Sequence, residues 1–278
     1  MRVVIFWTML LLGTVVLGTT SEAQQSRLSI QLGATWLPSS NDLAARALSP
    51  MFGYHVNLDS AYVLSIRTGA AFLLSLDRPN TERTTVISPT NVIVGIVRPF
   101  DVSGQAVYGG VFVGAPLALY MADDIEHKRL VDFAHTVTAS AHGWADPYPW
   151  MVNTIPVGVV AEATVPVQSL CSLHAAVRPA ALLSLSSRAS GFAVSTTIDV
   201  QCNIERIRCG VGLNWFGTTQ NVENNDNDQA SIHVVVGWDG PHFRTNLRGN
   251  VNLDAPFGIN AEGPKPTAGV VASMEFVL

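Results

Sequence analysis

The densest run of side chains able to do chemistry lies between Ala122 and Val152, where Asp123, Asp124, Glu126, His127, Asp132, His135, Ser140, His142 and Asp146 follow one another. Carboxylates and imidazoles are the donors a divalent metal takes, and a Ser, a His and an Asp are the parts of a hydrolytic triad. Their spacings match no defined motif of either kind. Leu130, Phe133, Ala134 and Val137 recur at helical spacing in the same stretch, so a short helix lying over or into the mouth of the fold is expected there. Residues 221–228 are also acidic and read as a solvated loop. No cofactor and no metal is implied.

Cysteine chemistry is the next candidate. Cys171, Cys202 and Cys209 fit no zinc pattern and form no Cys-x-x-Cys pair. In an oxidising compartment one disulfide and one leftover thiol are expected, either Cys202 with Cys209 or Cys171 with Cys202. Burial of each as a small hydrophobe is an equally good account.

The remaining ionisable groups sit on segments that alternate with a period of two, the mark of a strand with two unlike faces. Leu28, Ile30, Leu32, Ala34 and Trp36 oppose Ser29, Gln31, Gly33 and Thr35, and Phe52, Tyr54, Val56 and Leu58 oppose Gly53, His55, Asn57 and Asp59. The pattern returns from Leu64 to Ser75, Ile155 to Val165, Leu173 to Ser184, Phe192 to Asn203, Ile207 to Trp215, Ile232 to Asp239, and Phe243 to Leu253. Residues 86–99 and 105–121 carry apolar side chains on both faces, which leaves their phase open. With the final segment, the tally is twelve strands (ten to twelve). Tight links near residues 59–61, 100–104, 167–169, 203–205 and 239–241 alternate with long ones at 38–50, 77–85, 122–152, 186–190, 217–229 and 254–266. Short turns therefore lie on one rim and long loops on the other.

Composition decides what wets the apolar face. Only 13% of the 278 residues are charged, against 48% hydrophobic, and lysine occurs only at Lys128 and Lys265. A soluble domain normally needs charges at about 25–35% of its surface positions. A net charge of -5 argues against nucleic acid as a partner. Met1 to Ala23 has the layout of a secretory signal peptide, with a basic start, an apolar run and a small-residue cleavage site, which leaves residues 24–278 as the mature domain. A strand protein with greasy outer faces avoids open edges in hydrocarbon only by closing into a barrel. The expected fold is a closed antiparallel up-and-down transmembrane β-barrel.

The chain here resembles the bacterial outer-membrane β-barrel superfamily. The resemblance rests on the signal peptide, the alternation, and the last residues, Val270, Ala272, Met274, Phe276 and Leu278, which are similar to the family's C-terminal assembly signal but end on Leu rather than Phe or Trp. It implies an outer-membrane address, contact with membrane lipid and handling by a barrel-assembly machinery. The polar face then lines a lumen and carries Arg67, Arg98, Glu162, His174, Arg178, Asp199, Arg208, Arg244, Arg248 and Glu275. These serve either as cross-bracing ion pairs or as the lining of a narrow passage, whose six arginines against three carboxylates lean it towards anions. The function expected is that of a non-enzymatic structural or narrow-channel barrel. The alternatives are an outer-membrane lipid hydrolase using a Ser with His135 or His142, and a soluble secreted barrel binding an apolar ligand.

Overall fold

The computed structural model describes residues 26–40, 43–58, 61–77, 85–102, 105–119, 124–186, 189–220, 227–253 and 267–278. The expected signal peptide and most of the acidic loop at 221–228 lie outside them. The strands are β1 (Ser26–Ser40), β2 (Leu43–Asn57), β3 (Val63–Asp77), β4 (Val86–Pro89), β5 (Val92–Val102), β6 (Gln105–Ala115), β7 (Thr154–Pro166), β8 (Cys171–Ser184), β9 (Gly191–Ile204), β10 (Ile207–Thr218), β11 (Asp228–Asp239), β12 (Phe243–Asn252) and β13 (Ala268–Val277). Apart from β4 and β5, each pairs antiparallel with its neighbour in sequence, and β13 returns to β1 to close the ring. The short β4 and the longer β5 both pair with β3 and are separated only by Thr90 and Asn91. They form one interrupted stave, so the barrel has twelve.

The alternation lays the apolar residues outward. Ile30, Leu32 and Trp36 are exposed on β1 while Gly33 and Thr35 are buried between them, and Trp36 keeps 62% of its surface open. The same holds around the ring, with Ile87, Val111, Val159, Leu213, Val234 and Leu247 all outward. A continuous apolar belt of this extent is stable only against hydrocarbon or a partner. Pro179, which has no N–H to donate, sits where the β7–β8 ladder skips two pairs between Gly158↔Ala180 and Ala161↔Val177.

Most of one expected long loop is strand instead. Within residues 38–50, β1 runs on to Ser40 and β2 begins at Leu43, and the inward-facing Leu37, Ala45 and Ala47 of these two strands are buried. The interior of the long-loop half is filled. Helix α1 (Ile125–Ala141) starts at the Asp124 cap, whose side chain accepts from the Glu126 N–H at 3.1 Å, and a 3-10 turn (Tyr148–Trp150) follows it. Leu130, Val131, Ala134 and Val137 are buried, as their helical spacing required. Leu37, Leu73, Ile93, Phe112, Leu182 and Phe216 from the wall pack with Leu130, Trp144, Tyr148 and Trp150 into one core inside the barrel.

Candidate functional site: a plugged lumen

The plug is the segment from Ile125 to Asn153, and inward side chains of many staves hold it. Thr35 of β1 donates to the Val137 carbonyl at 3.2 Å, Asn250 of β12 to the Ala141 carbonyl at 2.8 Å, and Ser231 of β11 to the Gly143 carbonyl at 2.7 Å. The Trp144 indole N–H donates to Asn252 Oδ1 at 2.9 Å, and its ring stacks on Phe216 with centroids 5.7 Å apart. Asn91, fully buried at the break between β4 and β5, donates to the Met151 and Thr154 carbonyls at 2.7 and 3.2 Å and accepts from the Ala118 N–H. These bonds satisfy carbonyls that the helix end and the irregular segment leave open inside the protein.

Close approach is built into the backbone. Gly143 turns the chain after α1 with φ of +65°, a conformation glycine adopts at little cost. On the wall, Gly269 of β13 leaves no room for a side chain, since backbone atoms of Ala141 stand within 3 Å of where a Cβ would be.

The loop histidines lie within this packing. His135 Nε2 is 2.9 Å from Ser88 Oγ, and His142 Nε2 is 2.9 Å from Ser49 Oγ. Burial lowers both imidazoles to about 4, with Arg248 adding to the effect at His142 and Asp146 opposing it. Both Ser–His pairs are inside the barrel, away from its outward apolar face. The Tyr148 hydroxyl, its ionisation pushed up by burial and then by Asp146, donates to the Arg178 carbonyl beside the ladder gap at Pro179. Ser140 is turned onto the Val137 carbonyl of its own helix, at 2.7 Å. Among the described residues no three His, Cys, Asp or Glu side chains converge as a metal site needs.

Below the plug, towards the short turns, the interior becomes polar and the expected lumen residues are found. Arg67 pairs with Asp146 of the plug, and Arg178 with Glu162 of the adjacent stave, while Arg178 also donates to the Ala145 carbonyl at 3.2 Å. His174 meets Asp199 at 3.1 Å, and Asp199 accepts from Gln201 at 2.7 Å. Glu275 pairs at 3.3 Å with Arg27, and Asp239 lies 3.5 Å from Arg208 and 3.7 Å from Arg244. Arg27, Asp146 and Asp239 are additions to the expected lumen lining. Arg27 and Asp239 lie at strand ends on the polar side of the alternation, a signal available in the sequence; Asp146 reaches the lumen only because the loop folds inward.

Arg98 is the correction. It shares the outward face of β5 with Ile96 and Phe100, and its guanidinium lies 5.6 Å from the Tyr62 ring centroid and 5.3 Å from that of Phe100. The physical reason is the break at Thr90 and Asn91, past which odd-numbered residues such as Ile93 face inward. A long cationic side chain between exposed rings near a rim suits the border of hydrocarbon and water.

The cysteines lie in a row on the outward faces of β8, β9 and β10 near the short-turn rim. Cys171 and Cys202 are bonded, and Cys209 is free, opposite Cys202 in the β9–β10 register. The C-terminal residues Val270, Ala272, Met274 and Leu278 are exposed along β13, and Phe276 shares their face.

A cavity of about 240 Å³ lies in the short-turn half. Arg208, Arg248, Asn246, Gln31, Gln201 and Ser273 supply its polar wall, Val235 and Val271 its apolar wall, and His142 of the plug its roof.

No protein-family model matches the sequence, and no curated protein matches it. Solved structures do match across nearly the whole chain. An outer membrane channel from Pseudomonas putida F1 is similar at 9% identity over 93% of this chain and 97% of that one, with a TM-score of 0.59. The NanC porin matches at 9% identity, 90% and 100% coverage and a TM-score of 0.54. The translocator domain of the autotransporter NalP from Neisseria meningitidis matches at 8% identity, 99% and 96% coverage and 0.51. The likeness is one of fold: this chain is a closed antiparallel barrel of twelve staves, similar in fold to these structures.

Proposed function

We propose that the protein is exported to the outer membrane, where it forms a narrow barrel whose passage is shut by its own plug and leans towards small anions. The carrying observation is the division of the interior: a packed plug fills the long-loop half, and a polar, arginine-bearing cavity lies beneath it. The outward belt is the lipid contact. The outward residues of β13, at the seam with β1, are what a barrel-assembly machinery would take hold of. His135 and His142 are assigned to docking the plug rather than to catalysis. The named neighbours include a channel and a porin, which supports a transport reading for this chain as well.

Fractionation with the outer membrane and heat-modifiable migration in detergent gels test the address, and a fully soluble product overturns it. Planar-bilayer recording under a salt gradient tests the passage. Rare, small openings with a reversal potential on the anion side are expected, and a cation-side potential overturns the anion lean.

A further inference from the structure

The cavity under the plug holds one arginine with no carboxylate in contact. Among the described lumen arginines, Arg27, Arg67, Arg178, Arg208 and Arg244 each have a carboxylate within 4 Å. Arg248 has none. Its Nε donates to Asn250 Oδ1 at 3.1 Å and its Nη2 to Asn214 Oδ1 at 3.0 Å, both neutral, and Nη1 has no partner among the described residues. The two asparagine contacts hold the planar head in place at the boundary between plug and cavity. An ordered guanidinium with a free donor is already arranged for an oxyanion.

The rest of the wall supplies neutral groups that can both donate and accept. Gln31, Gln201, Asn246 and Ser273 face the same space, and Arg208 is fixed at its side by a 2.6 Å bond to Asn246. No carboxylate lines it. At about 240 Å³ the space falls below the roughly 300–1,000 Å³ of pockets for drug-sized ligands, which restricts an occupant to a small solute. Amides and a hydroxyl beside Arg248, with Arg208 already paired to Asp239, suit a molecule with hydroxyl groups next to its charge.

We propose that this cavity is a binding site for a small hydroxylated oxyanion, with its charged end on Arg248 and its hydroxyls on the surrounding amides. The site rests on the reading of the short-turn half as a water-filled passage, and it identifies the class of solute that stops there. Because His142 forms the roof, a bound anion lies directly against the plug.

The test is calorimetric titration of the mature protein, refolded in detergent, with gluconate as the hydroxylated oxyanion, inorganic phosphate as a bare one, and glucose as the neutral control. Gluconate is expected to bind with a Kd on the order of 1 mM and more tightly than phosphate, with no heat from glucose. Arg248→Gln should weaken gluconate about tenfold or more, and Arg248→Lys should restore part of it. Arg244→Gln, at the rim and outside the cavity wall, should change it less than about twofold. Heat-modifiable migration of each variant confirms that the barrel is intact. Equal gluconate binding by the parent and Arg248→Gln overturns the site. So does binding of phosphate without gluconate, or silence from both. Binding without bilayer conductance removes the passage and leaves the site, whereas conductance without binding does the reverse.

Discussion

The two halves of the lumen are built from the same twelve staves and differ in what faces inward. In the long-loop half the inward residues are Leu, Ile, Phe, Ala and small amides or hydroxyls, and they close around Trp144, Tyr148 and Trp150. In the short-turn half they are Arg, Asp, Glu, His and Gln, largely paired and in contact with a cavity. A barrel of this width has to be filled by something. Where the wall is apolar, an inserted helix fills it and is held by packing; where the wall is charged, desolvation would be costly and water stays.

That contrast predicts which perturbations matter. The largest effect should come from acid. His135 and His142 are neutral when docked, with values near 4, whereas an undocked imidazole takes its proton near 6.5. The folded values are depressed, so the docked form is fully favoured above 6.5 and loses stability as pH falls from there towards 4. The loss is at most roughly 3 kcal/mol per imidazole. Hydrogen exchange of the α1 amides should accelerate over that window while the strand amides stay protected, and an unchanged helix at pH 4 would contradict it.

Trp144→Ala comes next. It removes the ring stacked on Phe216 and the bond to Asn252 and should cost about 3–5 kcal/mol of docking, seen as longer and more frequent bilayer openings. Asn91→Ala follows at about 1–3 kcal/mol, because it leaves the Met151 and Thr154 carbonyls buried without that partner; exchange at residues 148–153 is the measure. Arg67→Gln is the smallest. The Arg67–Asp146 pair is partly exposed, and its removal should shift plug exchange by about 1 kcal/mol or less. If Arg67→Gln opened the barrel more than Trp144→Ala, the division between packed and wet halves would be wrong.

The staves were legible because period-two alternation is a local property, and β1, β7 and β9 to β13 follow the faces read from their residues. Residues 86–121 were not legible in phase. The break at Thr90 and Asn91 moves the inward positions from even to odd, and nothing in the apolar runs on either side marks it. Arg98 was misplaced for that reason. The loop histidines and Asp146 were visible as candidates, but their use depended on the loop entering the barrel. Likewise the cysteines offered two pairings, and the choice of Cys171 with Cys202 depended on which strands face each other at that rim.

By itself the sequence determined the number of staves, the outward apolar belt and the scarcity of surface charge, since each follows from residue type and spacing along one strand. Only the tertiary structure decided that the loop between β6 and β7 plugs the lumen, and that Arg248 has neutral asparagines rather than a carboxylate in contact. Those outcomes depend on side chains from staves far apart in the chain meeting across a closed ring, a distance that no periodicity records.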